Sequence, residues 1–145
     1  MNTIVLNTLS GAVTEYTGFG FHSITPTHAG SATGLFAFGG DLDIDRPIVS
    51  DIRTATKLRS TTLKKAISAI YFSMSGEGVG EATVFGRAAQ WSYEFPVRAA
   101  GQSRAPTGRG IRENYLGFGF RNPGGEAFRI DRIEALTNES QNRRI

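Results

Sequence analysis

The chain has 145 residues, 39% hydrophobic and 20% charged, which is enough apolar material for one folded core and too little charge for a disordered polyelectrolyte. It contains no cysteine, which excludes disulfide staples, thiolate metal sites and a cysteine nucleophile, and its eighteen glycines against two methionines lean away from a helical bundle. The net charge of +3 is unevenly spread: residues 1–50 carry Glu15, Asp41, Asp43 and Asp45 against Arg46 alone, while residues 51–145 carry fifteen Lys/Arg against nine Asp/Glu, an asymmetry open to three readings: head-to-tail contacts between neighbouring subunits, a face toward nucleic acid, or a plain solvated surface.

The N-terminal MNTIVLNTLSGA has no Lys or Arg ahead of its short apolar run, unlike a signal peptide, and no window approaches the ~20 apolar residues of a membrane span. Thr3–Leu6 is β-branched and apolar and reads as a strand. Ala12–His22 alternates, with Val13, Glu15, Thr17, Phe19 and Phe21 on one side, which is the period of a strand. Gly34–Phe38 follows with Phe36 and Phe38 on one face, and Gly39-Gly40 breaks it. In Asp51–Leu58, Ile52, Thr54 and Thr56 alternate. Leu63–Met74 begins like a helical turn, but Ile67–Met74 is apolar and aromatic and predicts a buried strand ending at Gly76, Gly78 and Gly80. Glu81–Phe85 and Gln90–Val97 predict a hairpin, the second strand lining Trp91, Tyr93 and Phe95 on one face.

Residues 98–113, RAAGQSRAPTGRGIRE, hold four arginines, three glycines and almost no aliphatic side chains, and predict an extended loop or arm. Asn114–Arg121 returns to strand with Leu116, Phe118 and Phe120 on one face. Asn122-Pro123-Gly124-Gly125 is a turn by its chemistry. In Glu126–Leu136, Phe128 and Ile130 share one parity and Ile133 and Ala135 the other, which predicts a β-bulge near Asp131-Arg132. The tail from Thr137 to Ile145 is polar. Eight to ten short strands separated by Gly/Pro turns predict an all-β chain, a single β-sandwich domain over 1–145 of jelly-roll-like kind. Tyr16–Phe21 and Tyr115–Phe120 share the pattern Tyr-x-Gly-Phe-Gly-Phe, in which Phe fills a core and Gly on the other face admits a close neighbour.

Sites of chemistry are few. Asp41, Asp43 and Asp45 alternate as calcium-loop carboxylates do, but Arg46 and Pro47 stand where an EF-hand needs its glycine turn and Ile52 where it needs its bidentate Glu, so they read as a solvated acidic turn and only a weak metal candidate. His22 and His28 lie near Ser23, Thr25 and Thr27 without a nucleophile elbow, and no enzyme activity is expected. The run Gly76–Gly80 lacks the Lys-Ser/Thr of a phosphate loop. The basic residues Lys57, Arg59, Lys64 and Lys65 and the arm arginines Arg98, Arg104, Arg109 and Arg112 suit phosphate contacts, but no aromatics interleave with them, which disfavours nucleic acid. Pairing with carboxylates across subunits suits the planar arginine fork better. Asn138-Glu139-Ser140 matches a glycosylation pattern too short to carry an argument.

The second half carries an ordered set of motifs: Leu63–Tyr71 with its Leu-Lys-Lys start, Gly108–Arg112, Tyr115–Phe120, Asn122–Gly125, Phe128–Glu134 and Arg143–Ile145. This order resembles a group of tailed-bacteriophage tail and virion structural proteins, and Leu9–Phe21 and Gly34–Gly40 are similar to it as well. The resemblance implies a virion structural protein of the tail, of minor-tail or tail-tip type, assembled in the host cytoplasm. It further implies that the protein forms homo-oligomers or docks on a ring of other virion proteins, with no cofactor and no known reaction. Arg98, Arg104, Arg109, Arg112, Arg143 and Arg144 are then the expected protein-interface residues. The alternatives are a carbohydrate- or receptor-binding module meeting a host surface glycan, and a head decoration or connector protein contacting DNA or capsid.

Overall fold

The computed structural model describes residues 2–17 and 19–140. Every regular element among them is a strand, fifteen in all, several only two residues long. Their contacts divide the chain into two compact units, Met1–Gly40 and Asp41–Ile145.

The first unit begins with the hairpin of β1 (Asn2–Leu6) and β2 (Val13–Thr17), in antiparallel register with Ile4 opposite Glu15. Asn7 shapes its turn: the side-chain Oδ1 accepts from the backbone of Leu9 and Ser10, and the Asn7 carbonyl accepts from Gly11, whose φ of 70° suits glycine. A three-stranded meander follows, β3 (Ser23–Ile24), β4 (His28–Ser31) and β5 (Gly34–Ala37). The strand expected over Ala12–His22 therefore ends at Thr17. The alternation it was read from survives as ring packing, Phe19 edge-on to Phe21 at 4.8 Å and Phe21 near Phe36 at 5.9 Å.

The second unit opens with the small hairpin of β6 (Leu42–Asp43) and β7 (Arg46–Pro47) and continues through β8 (Asp51–Arg53), β9 (Lys65–Gly76), β10 (Val79–Phe85), β11 (Gln90–Pro96), β12 (Gln102–Pro106), β13 (Arg112–Glu113), β14 (Gly117–Arg121) and β15 (Phe128–Glu139). Two sheets face each other. One has the order β11-β10-β14-β8. The other is centred on β9, which pairs along one edge with β12 and β13 and along the opposite edge with β15. Side chains from both sheets meet in one core that includes Ile70, Phe72 and Met74 of β9, Val84 of β10, Phe95 of β11 and Phe120 of β14. This is a β-sandwich, with polar groups on its outer faces and side chains interleaved between the sheets.

Bulges set which side chains reach that core. Asp131 has no partner on β9, between the pairs Ile130–Met74 and Arg132–Ser73, so Phe128 and Ile130 before it and Ile133 and Ala135 after it all pack inward. Ser68 is skipped in the same way between Leu136–Ala69 and Thr137–Ile67, which carries β9 from the inward set Lys65 and Ile67 to the inward set Ile70, Phe72 and Met74. The helical turn considered at the start of this segment does not form: Leu63 and Lys64 precede the strand, and from Lys65 onward pairing with β13 and β15 takes up the backbone groups.

The Gly-Phe-Gly-Phe run of β14 works as its alternation implies. Phe118 and Phe120 point into the core. On the other face a Cβ at Gly119 would come within 3.0 Å of the Phe85 ring and 3.1 Å of the Ile52 carbonyl. Gly80 on β10 is required in the same sense, since a Cβ there would lie 2.7 Å from the Phe120 ring and 2.9 Å from that of Phe95.

The segment 98–113, expected as an extended loop or arm, is instead built into the second sheet. Five of its residues pair as β12 with β9, Ser103 and Ala105 are fully buried, and Ile111 joins the core. The small residues that made it look like a loop are the ones that fit against β9. The polar tail begins later than Thr137, since β15 runs to Glu139.

Phe72→Ala removes the ring that stacks on Phe95 at 5.0 Å and contacts Phe120 at 5.5 Å. It is expected to destabilise the second unit by about 3–5 kcal/mol. Urea denaturation followed by the fluorescence of Trp91, the single tryptophan and part of β11, measures the loss.

Candidate functional site

The candidate interface arginines sit on and beside the edge strands of the second sheet. On β12 the alternation sends Ser103 and Ala105 inward and leaves Arg104 exposed on the outer face, opposite Tyr71 of β9. Arg112 of β13 is likewise exposed, opposite Ala66. Arg109 lies exposed in the connection between these strands, and Arg98 just after β11, its backbone N–H donating to the Ser103 hydroxyl at 3.0 Å. None of the four has a carboxylate within ion-pair distance among the described residues. The ion pairs present there are local, i to i+2 along one strand: Arg53–Asp51, Arg129–Asp131 and Arg132–Glu134. Four guanidinium groups are thus carried on ordered backbone with their forks uncommitted. Arg143 and Arg144 lie outside the described residues.

The acidic candidates do not converge. Asp43 is in β6, Asp41 precedes it, and Asp45 is in the turn where the Asp45 N–H donates to the Asp43 carbonyl at 2.9 Å. All three are exposed. No group of three His, Cys, Asp or Glu side chains among the described residues is arranged to hold a metal. His28 is exposed with its Nδ1 3.0 Å from the Thr27 hydroxyl, and His22 is exposed beside β3. Glu77 and Gly78 form the β9–β10 turn, with Gly78 at φ 78°.

An open cleft of about 300 Å³ lies in the second unit, lined in part by Thr54, Arg59, Lys65, Phe118, Ile133 and Glu139. Its basic groups are the feature that reading them as a surface cluster missed. Lys65 is only 3% exposed, and its ammonium donates to the carbonyls of Leu58, Thr61 and Leu63 at 2.8, 2.7 and 3.2 Å. All three ammonium protons are used, and the 58–63 loop is wrapped around them. The signal was present in the strand itself: Lys65 shares its parity with Ile67, which points inward. Arg59 and Ser60 have φ of 47° and 70°, strained for residues with a Cβ. Three bonds from the Arg59 guanidinium offset that strain, Nε to the Leu116 carbonyl and Nη2 to Thr54 Oγ1 and the Ala55 carbonyl, and the group lies 5.2 Å over the Phe118 ring. Thr61 donates to Glu139 Oε1 at 2.9 Å. Most of the polar groups around the cleft are therefore committed to holding the loop.

Asn122, read from sequence only as a turn residue, is a second buried knot. Its Oδ1 accepts from Ser50 N–H at 2.6 Å, and its Nδ2 donates to the carbonyls of Ile48 and Glu126. The segment before β8 is thereby tied to the β14–β15 turn. At the edge of the first sheet, the Arg53 guanidinium donates to both carboxylate oxygens of Asp51 and lies 5.0 Å over the Phe85 ring. Those hydrogen bonds hold the Asp51 carboxyl below the usual carboxylate range.

Comparison with models of protein families, with characterised proteins and with solved structures finds no match to this chain.

Lys65→Met leaves three carbonyls without their buried donor and is expected to cost about 2–3 kcal/mol of stability, read by the same urea titration. Arg53 is the largest cause of the lowered Asp51 value, with Arg121 adding a smaller pull, so Arg53→Ala should return it upward toward the ordinary carboxylate value, which a carboxylate-resolved NMR titration reads directly. Because the folded-state value is depressed, the stability from this pair is present above the ordinary carboxylate range and is lost as pH falls through the folded-state value.

Proposed function

We propose that the chain is a non-catalytic structural component of a tailed-phage particle, in the tail tip, baseplate or fibre region, acting through protein–protein contacts. The observation that carries this reading is the set Arg98, Arg104, Arg109 and Arg112, exposed and unpaired among the described residues, with Arg104 and Arg112 on the edge strands of a packed sheet and Arg98 and Arg109 in the loops beside them. Side chains on ordered backbone lose less entropy on docking than side chains on a free arm, and arginine forks pair bidentately with carboxylates of a neighbour. The ordered motifs of the second half, from Leu63 to the C-terminus, support the same assignment by resemblance. A glycan-binding role draws no support from the cleft, where Lys65 is spent on the loop and Arg59 has three bonds within the chain. A row of exposed rings for single-stranded nucleic acid does not accompany the arginine edge: of the two rings in register with these strands, Phe72 is buried and Tyr71 half-buried.

Antibody labelling on intact phage particles tests the location: label at the tail end supports the reading, and label over the capsid moves it to a decoration or connector role. Deleting residues 99–110 is no test, because it removes β12 and the buried Ser103 and Ala105. Replacing Arg98, Arg104, Arg109 and Arg112 together by Gln is. The variant should keep the wild-type Trp91 emission and unfolding midpoint and enter particles at least tenfold less efficiently. Wild-type incorporation would sink the assignment of these residues.

A further inference from the structure

Residues 1–40 contain a single charged side chain, Glu15, and every one of the sixteen Lys and Arg of the chain lies beyond them. Among the described residues of this unit only Ala29 is buried. Its larger apolar side chains face outward: Ile4 and Leu35 are each 73% exposed and Leu9 is 98% exposed, with Leu6, Val13 and Ile24 exposed as well. The Tyr16, Phe19, Phe21, Phe36 and Phe38 rings touch one another in a chain, yet Tyr16 and Phe38 remain exposed and the others half-buried. An uncharged surface of this kind is uncommon on a part that works in water by itself.

The unit also lacks the usual means of stabilising so small a piece of chain. A lone two-stranded hairpin is marginal in water, and units of about 40 residues ordinarily need disulfides, a metal or oligomerisation. This chain has no cysteine, and no metal-holding cluster occurs among the described residues. Oligomerisation is the remaining route. The strand edges provide for it: among the described residues β1 and β2 form a sheet of two, and β3 and β5 are the outer strands of a sheet of three, and edge strands are the place where a further strand adds.

We infer that Met1–Gly40 is a self-association module and that its occupant is the same segment of a second copy of this chain. Charge decides the occupant. A surface bearing Lys and Arg loses hydration when it covers apolar side chains, and it finds no carboxylate here except Glu15. The same segment of a second copy meets it with a single charged side chain, Glu15, to keep hydrated. The inference rests on reading the chain as a structural protein that works through protein contacts, and it supplies the surface and the partner for one of those contacts.

Light scattering of the full chain over a range of concentrations tests it, together with an Ile4→Lys/Leu35→Lys double variant. The wild-type protein should have a mass that is a multiple of 15.7 kDa. The double variant should fall to 15.7 kDa or dissociate at roughly a hundredfold higher concentration, the loss expected for two exposed aliphatic side chains that become buried on association. Trp91 lies in the second unit, so an unchanged emission maximum and melting curve show that a mass change does not come from unfolding there. An Ile4→Val/Leu35→Met variant should keep the wild-type mass. A wild-type monomer at every concentration overturns the inference, as does a double variant of unchanged mass. Either result leaves the particle-structural reading to be judged by labelling, while an oligomer that never labels particles would sink that reading and leave the module standing.

Discussion

The stacked rings of Phe72 and Phe95, 5.0 Å apart and within 7° of parallel, join the two sheets of the second unit, and most of its geometry follows from accommodating them. Phe120 leans on both, and Phe128 closes on Phe120 at 4.7 Å. Four rings from β9, β11, β14 and β15 thus form one contact set that a sandwich of short strands could not replace with aliphatic side chains of smaller area. The set explains local features that look unrelated in the chain. Gly80 has no side chain because the Phe95 and Phe120 rings occupy its space, and the bulge at Asp131 keeps Phe128 and Ile133 on one side of β15.

Around that core, the loops are held by polar groups, Lys65 and Asn122 buried and Arg59 exposed, whose hydrogen bonds are almost fully matched. Lys65 holds the 58–63 loop through three carbonyls, Arg59 holds its neighbours across Phe118, and Asn122 ties Ile48 and Ser50 to the last turn. A buried ammonium is costly unless its protons are taken up, and here the backbone takes up all three. Strain at Arg59 and Ser60 often marks a reactive site, but in this protein the guanidinium bonds that compensate it point into the chain.

The two units divide the physical properties of the chain between them. The second has a packed interior and a charged exterior on which Arg98, Arg104, Arg109 and Arg112 have no ion-pair partner among the described residues. The first has almost no interior and almost no charge. Ordered arginines favour specific pairing with an acidic neighbour, while an uncharged apolar surface favours burial against its like. Each property favours a different kind of contact.

Much of this was legible in the residues. Alternation predicted the β10–β11 hairpin, the two faces of β14 and the all-β class, and the parity change between Ile130 and Ile133 predicted a bulge that the pairing of β15 with β9 places at Asp131. These succeed because a strand's side chains alternate by local geometry alone. The segment 98–113 was illegible for the opposite reason. Gly, Ala, Ser and Arg carry no apolar stripe, and only the facing strand β9, some thirty residues earlier, makes a buried strand of Ser103 and Ala105. Phe19 and Phe21 were read as a continuation of β2, yet β2 spans Val13–Thr17 and the two rings pack on each other and on Phe36. Lys65 and Asn122 look like surface and turn residues until distant carbonyls close around them. The sequence by itself determined the strand class, the inward faces and the uneven charge. Tertiary structure decided which small polar stretches are buried and which cations are spent on loops, because those outcomes depend on backbone partners that no local pattern records.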